Sequence, residues 1–230
     1  MTELIEKYLP NVYELGWSVD GGWLDAIQAT LYMTFWSFII GGLLGLVLGL
    51  FLVLTGPRGV IANRPIFWVL DKFVSVFRAI PFIILVAVLS GVTKFIVGTT
   101  IEATAALVPL SAATFPFFAR QVQVVFSELD SGVIEASQAS GATLWDIIKV
   151  YLSEGLPELI RVSTVTLISL VGETAMAGAI GAGGLGDFAI SQGYQYSRHD
   201  VTFVAALLIV LLIFLIQFFG DFLTRRLSHR

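Results

Sequence analysis

A lone carboxylate, Glu173, stands inside the apolar run LIRVSTVTLISLVGETAMAGAI, and Met176 follows three residues later on the same helical face. A charged group at membrane depth costs ~2.5 kcal/mol or more on insertion scales, so Glu173 must face a bundle interior, find a partner or be protonated. Two roles fit it: a hydrogen bond to a neighbouring helix, or contact with the ammonium group of a passing solute or with a water-filled gate. Met176 suits ordinary packing, and its flexible thioether equally suits a pore constriction. Directly beyond lie Gly178, Gly181, Gly183, Gly184 and Gly186, five glycines within nine residues. Such a run serves tight packing of small residues between helices or a broken helix end lining a pathway, because irregular backbone inside a membrane survives only against protein or water. Its GAGGLG follows an apolar helix and lacks the βαβ setting of a dinucleotide fingerprint. Arg78, near the end of an earlier apolar run, can snorkel to the interface or serve as a salt-bridge or gate contact.

These residues point to passage rather than catalysis. There is no cysteine, and His199 and His229 stand far apart, so no metal site is expected. No histidine or paired-carboxylate constellation is expected at one depth, so no catalytic residue is assigned. The chain carries no Gly-Lys-Ser or Gly-Lys-Thr phosphate loop; it binds no cofactor of its own, and any ATP must be hydrolysed by another polypeptide. No nucleic-acid partner is expected.

The elements that position these side chains are membrane helices. Of the 230 residues, 57% are hydrophobic and 13% charged, against roughly 25% charged in an ordinary soluble domain. Runs of about 20 apolar residues span a hydrocarbon core, and the pattern predicts five: Trp23 to Leu54, Ile66 to Val97, Glu102 to Phe118, Leu159 to Ile180 and Val201 to Phe222. Pro81 is expected to kink the second. Trp17, Trp23, Trp36 and Trp68 are expected as interfacial anchors. The opening MTELIEKYLP is acidic, without the basic region and small-residue cleavage site of a removable signal peptide. Basic residues set the orientation. If residues 55–65, 119–158 and the tail are cytoplasmic, that side collects Arg58, Arg64, Arg120, Lys149, Arg225, Arg226 and Arg230, with Lys72, Arg78 and Arg161 in the adjoining halves of their spans. Only Lys7, Lys94 and Arg198 fall on the other side, so the N-terminus is expected outside and the C-terminus inside. The fold class is therefore all-α integral membrane, with residues 1–230 forming one transmembrane domain in contact with lipid.

The longest polar connection, SELDSGVIEASQASGATLWDIIKVYLSEGLPEL, faces the cytoplasm in this topology. Its pattern predicts two short helices: Ile134, Ala136, Ala139 and Ser140 on one side of the first, a turn at Gly141, and a second helix capped by Ser140 or Thr143 and carrying Leu144, Ile147, Ile148 and Tyr151. Either this hairpin lies on the membrane surface or its apolar ridge buries against a partner.

Glu135, Ala136 and Gly141 match the spacing E-A-x-x-x-x-G of the EAA loop, with Ser137 where the second alanine usually stands. In this the chain resembles the membrane subunits of bacterial ATP-binding-cassette importers, and the resemblance implies a cytoplasmic coupling helix that docks on an ATPase. The pattern's Leu-Pro pair stands later than usual, at Leu156 and Pro157. RAIPFIIL at 78–85 and AMAGAIGAGGLGDFAISQGYQY at 175–196 are similar to the permease subunits of methionine-uptake importers, with Glu173 where an uncharged residue is expected. The resemblance implies a bacterial inner-membrane permease working by alternating access. Its expected partners are a second copy of itself, two ATPase subunits carrying ATP and Mg, and an extracytoplasmic solute-binding protein. It also implies coupling through Glu135, Ala136, Ser137 and Gly141, and a pathway or gate at Glu173, Met176, Gly178 and Arg78. Methionine, another amino acid or a short peptide remain open as substrates. An ion-coupled secondary transporter would usually show more spans and an internal repeat with paired intramembrane charges.

Overall fold

A computed structural model describes residues 8–227; Lys7, His229 and Arg230, and most of the opening MTELIEKYLP, lie outside the described residues. Among the described residues every regular element is helical: α1 (Pro10–Glu14), α2 (Trp23–Thr55), α3 (Arg64–Ala79), α4 (Phe82–Val97), α5 (Ala103–Ser127), α6 (Ser131–Ala139), α7 (Leu144–Glu154), α8 (Leu156–Ala177), α9 (Gly184–Asp187) and α10 (His199–Leu227). Loosened turns, Gly178–Ala182 and Phe188–Gln195, flank α9.

Three helical stretches are long and apolar enough to cross a membrane: Trp23–Thr55, Leu156–Ala182 and His199–Leu227. The pair α3 and α4 is a fourth candidate, but it is bent by 108°. The run expected as one kinked span is thus two helices. Proline disfavours helical geometry in the residue before it, and here both Ile80 (φ −81°, ψ 120°) and Pro81 (φ −57°, ψ 138°) leave the helical region. Two successive non-helical residues turn the chain much further than one lost hydrogen bond would. On either side of the break, Val74 packs with Leu52 and Ala119, whereas Phe82 packs with Met33, Leu110 and Leu170.

The centre of the bundle is the contact of α2 with α5. Gly41, Gly45 and Gly49 form a ridge, one glycine per turn, that lets the two backbones touch. A Cβ on these residues would lie 2.9 Å from the Ser111 carbonyl oxygen, 2.7 Å from that of Phe115 and 2.7 Å from that of Ala119. Both series rise together, so the helices run parallel and their last residues, Thr55 and Ser127, share one end of the bundle. α5 was expected to stop near Phe118 but continues to Ser127. Its polar extension is held by Arg120, which donates to Asp71 of α3 at 2.8 Å and to the Ser75 hydroxyl at 3.2 Å.

α8 and α10 run antiparallel. Gly220, late in α10, lies on Thr164 near the start of α8, while Gly193, beyond the end of α8, lies on Thr202. One end of the bundle therefore gathers the 56–63 turn, the α6–α7 hairpin and the end of α10. The opposite end gathers α1, the 98–102 turn and the segment after α8. There Asp200 accepts from the Asn11 side-chain amide at 2.8 Å and its backbone N–H at 3.0 Å. Trp23 is not an interfacial anchor: it is fully buried, its indole N–H donates to the Val12 carbonyl at 3.2 Å, and the half-exposed Trp17 stacks on it.

Candidate functional site

The hairpin is built from two capped helices. Asp130 accepts from the Gly132 N–H at 2.8 Å and so starts α6. Thr143 and Asp146 form a reciprocal capping box that starts α7. Those bonds, and Lys149 at 3.1 Å, hold the Asp146 carboxyl below its usual range. Between the helices Gly141 takes φ +79°, the left-handed geometry that glycine adopts without penalty. The hairpin is rooted by Ile134, Ile147 and Tyr151, which pack with Val122, Phe126 and Leu159 of α5 and α8. Burial raises the Tyr151 phenol above its usual range. α7 passes into α8 through Gly155, where a Cβ would sit 2.7 Å from the Phe126 ring.

Of the four residues expected on one side of α6, only Ile134 is buried; Ala136, Ala139 and Ser140 are exposed, because nine residues make too short a helix to bury a whole stripe. Thr143, not Ser140, caps the second helix, and Leu144 faces outward beside Trp145. The four expected coupling residues divide between two surfaces. Ala136, Ser137 and Gly141 line an open groove on the outer side of the hairpin, while Glu135 points with Gln138 into a cleft on the inner side.

The other candidate residues sit at the opposite half of α8. Arg161, Val165, Ser169, Gly172, Met176 and Ile180 form an exposed stripe along that helix, and Met176 is 45% exposed. Glu173 stands at the edge of the stripe, half-buried, and its Oε2 is buried without a hydrogen-bond partner. Gly178 begins the break: a Cβ there would lie 2.6 Å from the Asp187 N–H nitrogen and the Gly183 carbonyl oxygen. Ile180 (φ −115°) and Gly181 (φ +104°) leave the helical region, so the glycine run combines irregular backbone with close packing. The Gly181 carbonyl accepts from the Glu102 N–H at 2.9 Å. Glu173 and Met176 therefore share one side of α8, whereas Gly178 next to them is buried against Gly183 and Asp187. Arg78 is not with them: it ends α3, exposed, with its guanidinium carbon 5.9 Å from the centre of the Phe117 ring.

The ridge Gly41, Gly45, Gly49 carried a signal, small residues four apart, that the sequence analysis did not single out. Two further contacts escape a reading of the sequence. The ion pair of Asp71 with Arg120 and the contact of Asn11 with Asp200 join residues far apart in the chain, and no local pattern announces them.

The sequence profile of the family described as binding-protein-dependent transport system inner membrane component matches residues 41–229. The chain belongs to this family. The match takes in the glycine ridge, the hairpin and the break after α8, so all the surfaces above are parts of an inner-membrane transport component. The chain is 44% identical over 206 residues to a probable D-methionine transport system permease protein of Haemophilus influenzae, covering 89% of this chain and 97% of that protein. It is 44% identical over 228 residues to the methionine import system permease protein of Bacillus subtilis, covering 99% and 100%. Among solved structures, an inward-facing methionine ABC transporter, MetNI, contains a chain that superposes with a TM-score of 0.87 at 43% identity, covering 89% of this chain and 95% of that one.

Proposed function

We propose that the chain is the membrane-spanning permease subunit of an ATP-driven importer, carrying methionine or a related amino acid inward by alternating access. The observation that carries this reading is the rooted hairpin. Ile134, Ile147 and Tyr151 join α6 and α7 rigidly to α5 and α8, while Ala136, Ser137 and Gly141 remain open to a partner. Force applied to α6 is thereby delivered to helices that reach the Glu173 region. The substrate is inferred from the methionine permeases at 44% identity.

In this reading residues 1–230 act as one transmembrane domain that crosses the membrane five times, the α3–α4 pair counting as one broken crossing. The N-terminus is outside and the C-terminus inside. The gathering of Arg58, Lys149, Arg225 and Arg226 at the hairpin end supports that orientation. Five crossings are few to enclose a polar solute, and a second copy related by two-fold symmetry completes the pathway. Each copy engages one cassette ATPase, which holds ATP and Mg, and a solute-binding protein delivers substrate from outside. Closure of the two ATPases draws the hairpins together and turns the bundles outward-open; hydrolysis resets them. Glu173 and Met176 line the pathway, and Gly178 starts the packed break that ends their helix. Arg78 is a gate contact only if the second copy lies against α3.

Co-reconstitution in vesicles with the cassette ATPase and a methionine-binding protein tests this: ATP-dependent methionine uptake needing all three components is expected, and its absence contradicts the reading. Because the chain has no cysteine, Ser137→Cys and Ser18→Cys report orientation. An impermeant thiol reagent should reach the first only in inverted vesicles and the second only from outside.

A further inference from the structure

A cavity of about 760 Å³ opens between the 56–60 turn, the end of α5 and the inner side of α6. That volume falls in the range of roughly 300–1,000 Å³ typical of small-molecule sites. Its lining is apolar at Leu52, Phe67, Phe126 and Ile134 and charged at Arg58 and Glu135. Among the described residues neither Arg58 nor Glu135 has an ion-pair or hydrogen-bond partner in its side chain. A free guanidinium, a free carboxylate and an apolar wall in one cleft are complementary to a carboxylate, an ammonium group and an apolar side chain held on one small molecule.

We propose that this cleft binds a free amino acid with an apolar side chain, its carboxylate on Arg58 and its ammonium on Glu135, with Gln138 as an additional polar contact. The site stands apart from the Glu173 region, at the other end of the bundle. A molecule seated there ties the 56–60 turn to α6, a helix otherwise anchored by Ile134 as its one buried side chain.

The test is calorimetric titration of the purified full-length chain with L-methionine, and with 3-(methylthio)propylamine, which lacks the carboxylate. Saturable binding of L-methionine is expected, weakened tenfold or more in Arg58→Gln and partly restored in Arg58→Lys. The amine should bind the wild type at least tenfold more weakly than L-methionine does. No saturable binding, equal affinity in Arg58→Gln, or loss in Glu173→Gln alone would overturn the proposal, the last by moving the ligand into the pathway. Vesicle uptake reads the transport reading separately, since uptake can fail while this titration succeeds, and the reverse.

Discussion

The backbone N–H of Leu185 donates to the hydroxyl of Thr30 at 2.9 Å, 155 positions away in the chain. Thr30 also donates to the Ala26 carbonyl at 3.0 Å, so one hydroxyl fixes the break after α8 against the first long helix. Gly184 makes the contact possible, with φ +81° and a Cβ position only 2.7 Å from the Thr30 oxygen.

Thr30→Val keeps the shape of the side chain but leaves the Leu185 N–H buried without an acceptor. An unsatisfied buried donor costs about 1–3 kcal/mol. The thermal midpoint in detergent should fall for Thr30→Val and stay near wild type for Thr30→Ser, which retains the oxygen.

The glycine ridge predicts a contrast between neighbours. Gly45→Ala places a methyl 2.7 Å from the Phe115 carbonyl oxygen and should destabilise by about 1–3 kcal/mol, as overpacking does. The nearest atoms to a methyl in Gly42→Ala belong to Phe38 of its own helix, at an ordinary 3.7 Å. Alanine is the better helix former by about 1 kcal/mol, so Gly42→Ala should be neutral or stabilising. Thermal unfolding of the two variants side by side checks this.

Glu173→Gln keeps the size of the side chain and removes its charge. With Glu173 at the edge of the exposed α8 stripe, methionine uptake in reconstituted vesicles should fall several-fold while the melting temperature moves little. The opposite outcome, a lowered melting temperature with unchanged uptake, would make the carboxyl a structural hydrogen-bonding group.

The helices were legible from apolar run length and from local capping chemistry. Thr143, one of the two caps that the sequence offered, starts α7, whereas the Asp130 cap of α6 and the reciprocal bond of Asp146 came only with the structure. The break at Pro81 was legible as a kink, but its 108° angle was not, because it depends on Val74 and Phe82 packing into different clusters. α5 was read short because Arg120 and Gln123 look like loop residues until Asp71 is brought beside them. Glu173 was legible as unusual, yet its position at the stripe edge required the packing of α8. The cleft was illegible: Arg58, Phe126 and Glu135 come from three separate segments.

The hairpin as a lever is the central claim, and Gly141 tests it most directly. No atom lies within 4 Å of a Cβ built there, so a substitution acts only through the +79° backbone angle. A non-glycine residue in that geometry costs roughly 1–2 kcal/mol, more with β-branching and less for asparagine. The measurement is ATP hydrolysis and methionine uptake in vesicles holding the assembled importer with Gly141→Val or Gly141→Asn. Gly141→Val should insert in the membrane normally but lose uptake, either by continuing to hydrolyse ATP without transport or by releasing the ATPase, while Gly141→Asn stays near wild type. Wild-type uptake and wild-type ATPase stimulation in Gly141→Val would contradict the account.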